Sequence, residues 1–84
     1  MYKISETMEV EEQDGELIII DKNSESVYFL KELEFYILKL IQKHNLDETI
    51  QILSEKYDAD YDVIKLDVTD FVESMFRKNI IVEK

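Results

Sequence analysis

The sequence predicts an α+β domain in which a three-stranded antiparallel sheet is followed by three helices, in the order β-β-β-α-α-α. Three observations carry this expectation. Asp14-Gly15 separates two stretches with strand character, Val27-Tyr28-Phe29-Leu30 is a short β-branched and aromatic run, and from Leu33 onward apolar residues recur three and four apart. With 84 residues the chain has material for one hydrophobic core, so residues 1–84 are read as a single domain.

The first strand is placed at about residues 4–12 and the second at about 16–22. The only glycine is Gly15 and there is no proline, so the Asp14-Gly15 pair is the sharpest punctuation in the chain. Both residues tolerate positive φ, which a two-residue hairpin turn demands, and the two strands therefore pair as a hairpin. Lys22-Asn23-Ser24-Glu25-Ser26 is a polar turn cluster. It leads to a third strand over 27–30, short and placed at the edge of an antiparallel meander.

Leu33, Tyr36, Ile37, Leu40 and Ile41 form the apolar stripe of a first helix over about 31–44. Asn45-Leu46-Asp47-Glu48 has the form of a capping box that opens a second helix over about 46–57, with Leu46 closing its first turn and Ile50, Leu53 and Tyr57 facing inward. Asp58-Ala59-Asp60 interrupts the pattern, and Asp60 caps a third helix over about 61–78, whose first turn also gains from Asp62. Its stripe is Ile64, Val68, Phe71, Val72 and Met75. Lys78-Asn79 ends the helix, and Ile80-Ile81-Val82 is expected to dock as a short extended tail.

Composition excludes several functions. The chain has no cysteine, hence no disulfide, thiolate metal site or thiol nucleophile. Twenty acidic residues against ten basic ones give a net charge of -10, which repels phosphate backbones and anionic lipid, so neither nucleic acid nor a membrane is an expected partner. No stretch resembles a signal peptide, the longest aliphatic run is Leu17 to Ile20, and a cytoplasmic location is expected. His44, the one histidine, falls near a helix C-terminus, where a charge–dipole role is the ordinary reading. Without an activated nucleophile, a phosphate-cradling loop or a ligand cluster, the chain is not expected to be an enzyme or to hold a cofactor or metal.

Set end to end, Asp14-Gly15-Glu16-Leu17-Ile18-Ile19-Ile20-Asp21, Val27-Tyr28-Phe29-Leu30, the capped Asn45-Leu46-Asp47-Glu48 helix, Asp67-Val68 with Phe71-Val72, and Asn79-Ile80-Ile81 resemble the PqqD-like family of precursor-peptide recognition elements. The chain departs from the family's pattern at Lys31, where asparagine is usual, and at Gln42-Lys43-His44, where Asp-Gly is frequent; the second departure suggests a longer first helix. The resemblance implies a winged helix-turn-helix-like fold that binds the leader of a ribosomally made, post-translationally modified peptide (a RiPP precursor). The leader would add as a strand to the third strand, in a groove against the third helix, and be delivered to a modifying enzyme or leader peptidase. Radical-type maturases, a lasso-peptide leader peptidase with its cyclase, and pyrroloquinoline quinone assembly are the systems the resemblance implies.

An exposed sheet edge grips any extended peptide through its backbone, and the alternate side chains choose the sequence. The candidate binding residues are Val27, Tyr28, Phe29 and Leu30 on the third strand, of which one alternate pair must be core. On the third helix they are Val63, Asp67, Asp70, Phe71 and Ser74. The opposite flank of that helix carries Lys65, Thr69 and Phe76, and the Asp67–Asp70 flank is favoured because carboxylates beside an apolar groove select a leader with lysine or arginine near a hydrophobic anchor. The competing readings are a solvated acidic face, and for Asp67 a structural cap. Two rivals to peptide recognition are a winged-helix DNA-binding regulator, opposed by Asp60, Asp62, Asp67, Asp70 and Glu73 at the last helix against only Lys65, Arg77 and Lys78, and a structural subunit that forms a homodimer or joins an enzyme through its sheet edge.

Overall fold

A computed structural model describes all residues from Met1 to Lys84. The elements are β1 (Tyr2–Ile4), β2 (Met8–Gln13), β3 (Glu16–Asp21), β4 (Val27–Lys31), α1 (Glu32–Lys43), α2 (Leu46–Lys56), α3 (Tyr61–Arg77) and β5 (Ile81–Glu83). The fold is α+β, with a three-stranded antiparallel sheet in the order β2-β3-β4 and a separate antiparallel pair, β1-β5.

The β2–β3 hairpin turns on Asp14 and Gly15 at φ 53° and 77°, the left-handed values that a type I′ turn requires. β4 returns along β3 in the register Leu17↔Leu30 and Ile19↔Tyr28. The Asp21–Ser26 connection is closed by the Asp21 carboxylate, which accepts from the Asn23 N–H at 2.9 Å, and by Glu25 at φ 62°.

The strand expected over 4–12 is two strands. Ser5 to Thr7 make a turn: the Met8 N–H donates to the Ser5 carbonyl at 3.1 Å, and the Ser5 Oγ accepts from the Thr7 N–H at 3.3 Å. Hydroxyl turns of this kind compete with strand pairing without a glycine or proline to announce them. The turn also lets the Ser5 N–H reach the Ile80 carbonyl at 2.8 Å, and so releases β1 to pair with β5.

Asn45 caps α2 as anticipated. Its Oδ1 accepts from the Glu48 N–H at 2.8 Å while Glu48 Oε1 accepts from the Asn45 N–H at 3.1 Å. The helix closes with Asp58 in the left-handed region, and α3 closes with Asn79 there, the Asn79 and Ile80 N–H groups donating to Phe76 and Met75 at 2.9 Å each. That pair of bonds is a Schellman cap. It turns the chain back so that Ile80 and Ile81, both without exposed surface, complete the core.

Leu17, Ile19, Leu30, Leu38, Ile41, Ile50, Leu53, Val68, Val72 and Met75 are buried together between the sheet and the three helices. Two expectations about the core are corrected. In α1 the buried residues are Phe35, Ile37, Leu38 and Ile41, while Leu33 is 43% exposed. The helix is apolar on so many sides that periodicity alone does not fix its inner face. Tyr57, expected to be buried, is the C-cap of α2 and half exposed, because the helix ends before a further turn can carry it inward.

Candidate functional site

The edge of the sheet at β4 is open. A two-residue turn makes Gln13 and Glu16 a hydrogen-bonded pair, so by alternation Glu16, Ile18 and Ile20 bond to β2, while Leu17, Ile19 and Asp21 bond to β4. The Asp21 N–H donating to the Ser26 carbonyl at 2.8 Å fits the same alternation. Tyr28 and Leu30, opposite Ile19 and Leu17, therefore use their backbone groups on β3. Val27, Phe29 and Lys31 point their N–H groups outward.

Side chains alternate with the backbone. Leu30 is buried and Tyr28 half-buried against the core, whereas Val27 and Phe29 are exposed at 47% and 56%. The chain then bends sharply into α1: Lys31 is the N-cap residue, with no side-chain capping bond, and Glu32 sits at φ 45°. This bend brings Leu33, Glu34 and Ile37 of α1 to the same cleft as β4.

Between β4, the start of α1 and α3 lies an open groove of about 590 Å³, predominantly apolar in its lining. Val27, Tyr28, Phe29 and Leu30 form one wall, and Asp67, Asp70, Phe71 and Ser74 lie on the other; Val63 is outside it. Thus eight of the nine residues picked from sequence meet in one cleft. Of the opposite flank of α3, Phe76 turns away to pack edge-to-face on Tyr2, ring centroids 5.3 Å apart. Sequence reasoning missed Leu33, Glu34, Ile37, Met75 and Lys78. The α3 members could have been found, since 67, 70, 71, 74, 75 and 78 follow one helical stripe; the α1 members could not, because their contribution depends on the bend at Glu32.

The groove is charged at its margins. Glu34, Asp67 and Asp70 are exposed carboxylates, and the Lys78 ammonium lies 5.4 Å from the Tyr28 ring centroid. The N-cap of α3 is Asp60, whose carboxylate accepts from the Asp62 N–H at 3.1 Å, so capping does not occupy Asp67. No group of three or more His, Cys, Asp or Glu side chains is placed to hold a metal ion, and no helix is long and apolar enough to cross a membrane. The C-terminal tail does not enter the groove, because β5 pairs with β1 in the register Tyr2↔Glu83, Lys3↔Val82 and Ile4↔Ile81.

The family profile described as coenzyme PQQ synthesis protein D (PqqD) matches residues 16–81. The chain belongs to the PqqD family. The match begins at Glu16, the first residue of β3, and ends at Ile81, so it takes in both walls of the groove of this PqqD-family chain. Among solved structures, TbiB1 in complex with the TbiA(beta) leader peptide superposes with a TM-score of 0.83 at 19% identity, over 94% of this chain and 93% of that one. Lasso peptide synthetase B1 complexed with the leader peptide gives 0.86 at 17% identity, over 96% of each chain. At such identities the likeness establishes the shared fold. A comparison with curated proteins finds no match.

Proposed function

We propose that this PqqD-family chain is a non-catalytic, cytoplasmic recognition domain, spanning residues 1–84, that holds the leader of a RiPP precursor. The leader adds as a fourth strand on β4, against α3, and is delivered to a modifying enzyme or leader peptidase. The observation that carries this reading is the combination of outward N–H groups at Val27 and Phe29 with an apolar groove directly alongside. A strand edge alone binds peptides indiscriminately, and a groove alone lacks backbone register; together they provide both. The two similar solved structures described above are complexes with a leader peptide, which supports the same role here.

In this reading the binding residues are Val27, Tyr28, Phe29 and Leu30 of β4 with Asp67, Asp70, Phe71 and Ser74 of α3; Val63, one turn before Asp67, lies outside the groove. The test is calorimetric titration with synthetic RiPP leader peptides. Binding is expected, and Phe71→Ala, which removes a half-buried ring from the groove, should weaken it roughly ten-fold, about 1.4 kcal/mol. Unchanged affinity in a Phe71→Ala protein with an intact circular dichroism spectrum contradicts the proposed seat. Sedimentation separates the homodimer alternative, which predicts a dimer that persists when the leader is added.

A further inference from the structure

The stripe of α3 that faces β4 changes charge along its length. Asp67 and Asp70 lie toward its N-terminal half, Phe71 and Met75 in the middle, and Lys78 at the C-cap. Glu34, in the first turn of α1, adds a third carboxylate. Lys78 is fixed relative to β4 by its approach to the Tyr28 ring, 5.4 Å from the centroid, near the beginning of that strand. Glu34 lies three residues beyond the strand's other end. Along α3 the cleft lining therefore runs from a base at Lys78, beside Tyr28, through apolar Met75 and Phe71 to the carboxylates of Asp70 and Asp67. Lys31, at the end of β4, does not line it.

The helix sets the distance between the charges. Asp70 and Lys78 are eight residues apart, roughly 12 Å at about 1.5 Å per residue. An extended peptide advances about 3.3 Å per residue and presents every second side chain to one face, so positions i, i+2 and i+4 face the groove over roughly 13 Å. The two lengths agree for a segment that lies along α3. We infer that the groove selects an extended segment whose groove-facing side chains are a cation, an apolar residue and an anion at i, i+2 and i+4, the anion meeting Lys78 and the cation meeting Asp70 and its acidic neighbours. Strand direction decides which charge comes first. This deepens the peptide-recognition reading and rests on it, and it assigns Lys78 as a specificity-determining residue.

Lys78 is exposed, and its replacement leaves the Schellman bonds of Asn79 and Ile80 in place because those are backbone bonds. The experiment is selection of a displayed random dodecapeptide library on the full chain, in parallel with Lys78→Glu and the neutral Lys78→Met. Enrichment of the cation-x-apolar-x-anion pattern, in either order, is expected for the wild type. In Lys78→Glu the acidic preference at that position should invert to a basic one, and in Lys78→Met it should vanish. For a selected peptide, reversing the sign of the residue that meets Lys78 should weaken binding roughly two- to five-fold at low salt and less at high salt, as for a solvent-exposed pair. Peptides enriched without charge spacing, or with the same pattern on all three proteins, overturn the inference while leaving strand addition intact. Failure to enrich any peptide contradicts strand addition itself, and the charge register with it.

Discussion

Gly15 stands at φ 77° with nothing within 4 Å of the position a Cβ would take, so a side chain there meets strain without a clash. Gly15→Ala is therefore expected to cost about 1 kcal/mol from the left-handed backbone alone. In a chain of this size that corresponds to a fall in Tm of roughly 4–8 °C. Asn45→Ala, which removes the acceptor for the Glu48 N–H, should cost about the same, measured by urea unfolding. Asp21 behaves differently because its contribution depends on charge. Chiefly the Asn23 N–H, aided by bonds from Ser24, holds its carboxyl below the ordinary value. A group depressed in the folded state stabilises the fold above its unfolded pKa, and that stabilisation is lost as pH falls through the folded value. The Tm gap between the wild type and Asp21→Ala should thus narrow in acid below the usual carboxylate range; a gap independent of pH would show that the charge is irrelevant. Gly15 and Asn45 were legible because each acts through its immediate neighbours: Asp14-Gly15 and Asn45-Glu48 carry their mechanism in two to four letters of sequence. Lys78 was legible only as a member of the α3 stripe, since its approach to Tyr28 depends on a strand some fifty residues earlier.

The two outer strands of the main sheet face solvent with different chemistry. β2 presents Glu9, Glu11 and Glu12, all exposed, whereas β4 presents Val27 and Phe29. Charged edges deter further pairing and apolar ones invite it, so the same sheet is guarded on one side and receptive on the other. The periodicity of α3 and the shortness of β4 were sufficient to foresee that strand and helix, whereas the groove between them was implied by the resemblance to the PqqD-like family, and spacing alone left open which flank of α3 faces β4. The β1–β5 pair was beyond that reasoning, because its partners lie at opposite ends of the chain and its existence depends on a hydroxyl turn at Ser5–Thr7. The inner face of α1 was also ambiguous, since Leu33, Phe35, Tyr36, Ile37 and Leu38 leave almost no polar side in that stretch. The β1–β5 pair has a consequence for stability. Ile81 sits near the chain end yet is wholly buried, so Ile81→Ala should cost 2–5 kcal/mol, comparable to Leu53→Ala, as read from chemical denaturation. A loss below 1 kcal/mol would mean that the tail is not part of the core.

For the molecule as a whole, stability on the scale of small domains, about 0.05–0.15 kcal/mol per residue, leaves little reserve, and an occupied groove would raise it by mass action. The acidic balance of -10 opposes self-association through two like surfaces and favours a ligand that brings positive charge. The separate seating of β5 on β1 matters at this scale too, because it keeps the chain's own tail away from β4. Peptide recognition therefore depends on the free edge of β4 being where a leader is held. Residue-resolved amide hydrogen exchange, with and without a bound RiPP leader peptide, tests this most directly. Val27 and Phe29 should gain protection as their N–H groups find carbonyl partners, while Tyr28 and Leu30, already bonded to β3, change far less. Equal protection across β4, or protection confined to another surface while Val27 and Phe29 exchange as before, would contradict it.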